Sequence, residues 1–209
     1  AGSVAWKQAL VSALTVACLA GVSRPAFAQQ YHANDLTPPS SPSGKLTGAS
    51  NGAQVGGSGN GHAMVLTGNA LTAVDLHPAG YYSSMATATD GVQQCGYGNS
   101  PTNNNNALVW SGSAASRVNL NPSGYGFSYC LGVQNGQQVG FAENQTYFIT
   151  ASHAMLWNGT PGSVVDLPPG TFPYSRATGL HDGEQVGYGS SFAYPYGDYS
   201  WRSKQLIQS

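Results

Sequence analysis

Short apolar runs broken by turn residues fill the chain from Gly44 onward, and their spacing is that of strands rather than helices. The clearest stretch spans His153 to Gly170. "HAMLW" is an apolar run with an aromatic end, and "SVVDL" is a short β-branched run. A Pro-Gly pair then stops the strand, because proline cannot donate to a ladder. Downstream, "ATGL" and "QVGY" flank "HDGE", whose Asp-Gly pair signals a type I′ hairpin. Asn51-Gly52, Asp90-Gly91 and Asn135-Gly136 take the same place elsewhere, with a slip of one residue at Asp90.

The pattern repeats. "HAMVLTGNALTAVDLHPAG" starts at His62, "NALVWSGSAASRVNLNPSG" at Asn106 and "HAMLWNGTPGSVVDLPPG" at His153, 44 and 47 residues apart. Each copy is followed by a second module: "SMATATDGVQQCGYG", "SYCLGVQNGQQVGFA" and "SRATGLHDGEQVGYG". A lone version, "GKLTGASNGAQVGGSG", precedes the first copy. Periods of this length belong to propellers, solenoids and arrays. Near the end, Trp201 falls where Leu66, Trp110 and Trp157 close their strands, and Leu206-Ile207 falls near the expected "VDL". On that count, residues 44–209 hold about four units of four strands. The expected fold is all-β, a small propeller of about four blades. The alternative is an open, solenoid-like array.

Residues 1–28 read as a secretory leader. Lys7 precedes the apolar "ALVSALTVACLAGV", and "AFA" supplies small residues at the cleavage site. The apolar stretch is too short for a comfortable membrane span, so no span is expected in the mature chain. Residues 29–43 form a Pro/Ser-rich linker. Without the leader, five basic residues face eight acidic ones, a net charge of −3. Charged residues are 7% of the chain, far below the roughly 25% of ordinary domains. A nucleic-acid partner is excluded on this composition, since nothing offers the basic footprint that phosphate backbones require. The leader implies a secreted or periplasmic bacterial protein.

The paired motifs "HAMLW…VVDL" and "G…DGEQVGY" resemble the HAF-type extracellular repeat family. That family's pattern has a His-Ala-Phe-Leu-Trp strand, an Asp-Leu strand and an Asn-x-x-Gly-Gln-Val-Val-Gly turn. The resemblance covers nearly all of residues 44–209. Met64 and Met155 stand here where Phe is usual, and Asn106 stands where His is usual. The resemblance implies an exported bacterial protein and marks an architecture rather than a chemistry.

Several repeated positions are candidates for chemistry. His62 and His153 are metal-ligand candidates because imidazole is the commonest side-chain ligand. Asn106 in the second copy favours a structural role, a polar atom that satisfies a backbone group. Asp75, Asn119 and Asp166 could bind Ca²⁺ through oxygens, or cap the turn into the Pro-Gly segment. Gln54, Gln94, Gln138 and Gln185 read as a hydrogen-bond ladder between units. Cys95 and Cys130, in successive units, are a candidate disulfide in an exported chain, or else two buried thiols.

The Tyr-rich "SFAYPYGDYSW" offers Tyr194, Tyr196, Tyr199 and Trp201 to stack on sugar rings, with Asp198 accepting hydroxyl bonds. No nucleophile elbow, Ser-x-x-Lys or His-Glu-x-x-His motif is present, and Glu143 and Glu184 are the only glutamates. The reading expects no cofactor and a non-catalytic protein that binds a polysaccharide, another surface polymer or a protein. Its alternatives are a secreted hydrolase with a site at a central opening, and a structural envelope component.

Overall fold

The computed structural model describes residues 35–41, 43–68, 70–102, 104–146, 149–167, 172–190 and 204–208. The described chain is all-β, with three-residue 3₁₀ turns before the short fourth strands. Strands β1 (Gly44–Ser50), β2 (Ala53–Ser58), β3 (Ala63–Thr67) and β4 (Val74–Asp75) form one antiparallel meander. Strands β5 (Ser83–Thr89), β6 (Gln94–Asn99), β7 (Asn105–Trp110) and β8 (Val118–Asn119) form the next. The third contains β9 (Phe127–Gln134), β10 (Gln137–Thr146), β11 (Ile149–Trp157) and β12 (Val165–Asp166). The fourth contains β13 (Tyr174–His181), β14 (Glu184–Ser190) and β15 (Lys204–Gln208). A single parallel pair, Ser152 with Tyr174, joins the last two into one seven-stranded sheet.

These pairings fix the phase of the repeat. The lone "GKLTGASNGAQVGGSG" is the first half of unit one, so each unit opens with the hairpin and closes with the "HAM…VDL" half. They also correct the reading of the last segment. Ile207 pairs with Val186 as Val65 pairs with Val55 and Val109 with Cys95. Leu206-Ile207 therefore lies in a third strand, not the fourth; Trp201 lies outside the described residues.

Local chemistry explains the hairpins. Asn51, Asn135 and Asp182 have φ of 49°, 50° and 47°, and the glycine after each is also left-handed, as a type I′ turn requires. Asp90-Gly91 departs from this. Val92 and Gln93 lengthen its loop, and Asp90 Oδ1 instead accepts the Val92 and Gln93 amides. Every first strand bulges, at Thr47, Thr87, Leu131 and Thr178. Opposite the second bulge, a Cβ on Gly96 would fall on the Met85 carbonyl, which explains a glycine after the Val or Cys of each second strand.

Units stack face to face. The first strand of each unit packs on the sheet before it: β5 against β1, β2 and β3, β9 against β5, β6 and β7, and β13 against β9, β10 and β11. The core lies in these seams. Val55, Val65 and Leu76 meet Ala86, Leu108 and Trp110, while Cys95, Val109 and Leu120 meet Cys130, Met155 and Trp157. Closing the stack into a ring would bury Leu46 and Val186, which are 44% and 41% exposed. Among the described residues no helix is long and apolar enough to cross a membrane.

Candidate functional site

The repeated polar positions prove to hold the units together. Ser84, Ser128 and Ser175 are buried on the first strands of units two, three and four. Each hydroxyl oxygen accepts the amide of Ala63, Ala107 or Ala154 in the preceding unit at 2.9 Å. Thr47 and Thr87 donate across the seams to the carbonyls of Ala86 and Cys130 at 2.6 Å. The expected glutamine ladder is corrected by this arrangement. Gln94 and Gln138 accept the Gly112 and Gly159 amides of their own units. Gln54, Gln94, Gln138 and Gln185 each donate two residues back, to Gly52, Val92, Gly136 and Gly183. Gln138 also reaches across a seam, to Gln93.

The histidines do not cap backbone groups as the sequence reading expected. His62 and His153 pair through Nδ1 with Asp75 and Asp166 at 2.7 Å, tying third strand to fourth. His62 stacks on His77 with ring centroids 3.9 Å apart. The Tyr125 ring stands edge-on to His153 at 6.0 Å. Asp75 Oδ1 and Asn119 Oδ1 accept the amides two residues on, which is the turn-capping role. Both ring nitrogens of His77 are engaged, Nδ1 by the Ser84 hydroxyl and Nε2 by the Tyr81 carbonyl. Burial, and then the neighbouring His62, push the His77 pKa down. Among the described residues no cluster of three or more His, Cys, Asp or Glu could hold a metal ion.

Cys95 and Cys130 are buried free thiols within one core cluster at the seam of units two and three. Burial, and then the adjacent Cys95 thiol, push the Cys130 pKa well above the ordinary thiol range.

An aromatic stripe crosses units two to four, its half-buried tyrosines set around Phe141, which is itself buried. Its positions repeat: Met85, Tyr129 and Arg176 on the first strands pair with Tyr97, Phe141 and Tyr188 on the second. Tyr97 meets Tyr129 edge-on at 5.0 Å, and Tyr129 stacks on Phe141 at 4.7 Å. The Arg176 guanidinium lies 3.8 Å from the Phe141 centroid and 5.0 Å from that of Tyr174. Tyr174 in turn faces Tyr188 at 6.3 Å. Glu143 anchors Arg176 at 2.7 Å, and Asn105 donates to the Tyr129 hydroxyl at 2.9 Å. Burial raises the Tyr97 pKa, with Tyr129 adding to it. Burial also pushes Tyr174 up to about 12, against the opposing pull of Arg176.

The residues chosen from sequence for sugar stacking, Tyr194, Tyr196, Tyr199 and Trp201 with Asp198, lie outside the described residues. The stripe did leave a signal in the sequence. Each second module has an aromatic two residues after the Val or Cys, at Tyr97, Phe141 and Tyr188.

No family model matches the chain, and neither a curated protein nor a solved structure matches it.

Proposed function

We infer that this chain is an exported, non-catalytic binding protein whose aromatic stripe receives a glycan or another extended surface polymer. The observation that carries the reading is the run from Tyr97 through Tyr129, Phe141 and Arg176 to Tyr174 and Tyr188. The half-buried tyrosines, flat rings with an apolar face and a polar rim, suit the C–H faces and hydroxyls of sugars, while the buried Phe141 backs them. Asn105, Glu143 and Arg176 supply hydrogen-bonding groups along the same line. Arg176 and Glu143 neutralise each other, which favours a neutral ligand over a strongly charged one.

The leader-like residues 1–28 and the HAF-type resemblance support a setting outside the cytoplasm. Exposure of Leu46 and Val186 supports an open array of about four units over a closed four-bladed ring. Affinity electrophoresis in gels carrying neutral bacterial and plant polysaccharides tests the binding. One polysaccharide should retard the protein, and Tyr97→Ala with Tyr129→Ala should weaken retention by about tenfold, the equivalent of one lost stacking contact. Equal retention of the double variant would sink the assignment of the stripe.

A further inference from the structure

The internal seams share a set of parts, of which the threonine bond belongs to the first two, Leu131 standing at that place in the third. A threonine hydroxyl at the bulge bonds its own unit's second strand weakly, Thr47 to Val55 at 3.2 Å and Thr87 to Cys95 at 3.1 Å. It bonds the incoming first strand strongly, at 2.6 Å. The next residue has to be small. A Cβ on Gly48 would meet the Thr87 carbonyl oxygen at 3.0 Å and the Ala88 Cα at 3.2 Å. Beneath the incoming strand, Val55, Cys95 and Val139 are fully buried. Beside it, Met85 covers Gly57, Tyr129 meets Tyr97 and Arg176 covers Phe141.

The fourth unit carries the same set uncovered. Thr178 has the weak bond to Val186 at 3.3 Å and is exposed. A Cβ on Gly179 would meet only Val186 of its own unit. Val186 is 41% exposed where its three counterparts are buried. Tyr188 occupies the place of Tyr97 and Phe141. At the other end, β1 presents the other half of such a seam. By register, Lys45-Leu46-Thr47-Gly48 corresponds to Met85-Ala86-Thr87-Ala88 and to Arg176-Ala177-Thr178-Gly179. Leu46 is 44% exposed where Ala86, Cys130 and Ala177 are buried.

We propose that the face formed by β13 and β14 binds β1 of a second copy of this chain, head to tail. Leu46 of one copy covers Val186 of the other, and the Thr178 hydroxyl donates to the Leu46 carbonyl. The Lys45 ammonium sits over the Tyr188 ring as Arg176 sits over Phe141. The chain's own β1 is not the occupant, because Leu46 and Val186 are exposed within one molecule. Such a heterologous contact leaves a free end on each copy and grows into open chains. One bond of the internal seams is missing. Gly44 stands where Ser84, Ser128 and Ser175 supply the amide acceptor, so the contact between copies is weaker than those within the chain and is reversible.

Sedimentation velocity over a hundredfold range of protein concentration tests the proposal. The weight-average mass of the full chain should rise at least twofold with concentration. Leu46→Glu and Val186→Glu should each remain monomeric, and both positions are exposed enough to keep the fold, as circular dichroism will verify. Lys45→Glu and Thr178→Glu serve as second variants on the two faces. Mixing Leu46→Glu with Val186→Glu should give a dimer that grows no further, since each variant keeps one intact face. A wild-type monomer at every concentration overturns the proposal, as does assembly that both variants retain. A monomer whose melting temperature falls in both variants also overturns it and shows ring closure instead.

Discussion

The Ser128 hydroxyl oxygen accepts the Ala107 amide at 2.9 Å across a seam in which both residues are fully buried. The same hydroxyl donates to Asn121 Oδ1 at 2.7 Å, so one small side chain satisfies a donor and an acceptor from the preceding unit. Ser128→Ala strands the Ala107 amide and strains the Asn121 network. Leaving such a buried group unpaired costs about 1–3 kcal/mol, or a fall of roughly 3–10 °C in melting temperature for a domain of this size. Differential scanning calorimetry checks it. An unchanged melting temperature would mean that the seam is held by apolar packing alone.

Leu131 occupies the bulge position of unit three, where Thr47 and Thr87 bond the next unit. The seam between units three and four therefore lacks this hydroxyl. Leu131→Thr should supply it, with the Ala177 carbonyl as acceptor by register. The expected gain is about 0.5–1.5 kcal/mol, or roughly 1–5 °C. Thr87→Val should cost a similar amount, and urea unfolding of both variants reads the two effects together.

His77 gives the fold an acid sensitivity. Its pKa is depressed by burial and by His62, so the folded state favours the neutral ring. The stability this confers is present above the ordinary histidine pKa of about 6.5 and is lost as pH falls through the lower folded value. Asn121 occupies the same place in unit two and makes matching bonds to Tyr125 and Ser128. His77→Asn should flatten the loss of melting temperature between neutral and mildly acidic pH while leaving the value above pH 7 nearly unchanged. A slope identical to wild type would remove His77 as its source.

Alkali should loosen the molecule through Cys130 and Tyr174. Both are raised in the folded state, Tyr174 to about 12, mainly by burial. Their contributions are complete below the ordinary thiol and phenol values, about 8.5 and 10, and disappear as pH rises through the folded ones. Melting temperature measured upward from pH 8 should decline. Cys130→Ala, which copies Ala86 and Ala177, together with Tyr174→Phe should decline less steeply.

Much of the fold was legible because spacing and turn chemistry are local. The period, the strand-rich class and three of the four hairpins follow from Asn-Gly and Asp-Gly pairs between apolar runs. The remaining hairpin, at Asp90-Gly91, showed in the sequence only as a slip of one residue. Its longer loop is closed by Asp90 Oδ1 accepting the Val92 and Gln93 amides, which a dipeptide signal does not carry. The seams were not legible. Ser84, Ser128 and Ser175 look like any serine in a chain rich in them, and only the packing of one unit on the next makes them acceptors. Glutamine misled for the converse reason: its regularity is real, but its bonds return mainly to its own turn and loop. The stripe was half visible, since the repeated aromatic could be seen while its stacking partner comes from the following unit.

Each buried serine reaches back only 21 residues to the amide it satisfies, less than half a repeat. Contacts of such short sequence separation close cheaply and early. A chain emerging N-terminus first from a narrow opening can therefore complete one unit on the surface of the last, each new first strand sealing the layer beneath it. Growth is vectorial, like courses of brick, and at every stage the unfinished surface is one sheet face, never a whole exposed core.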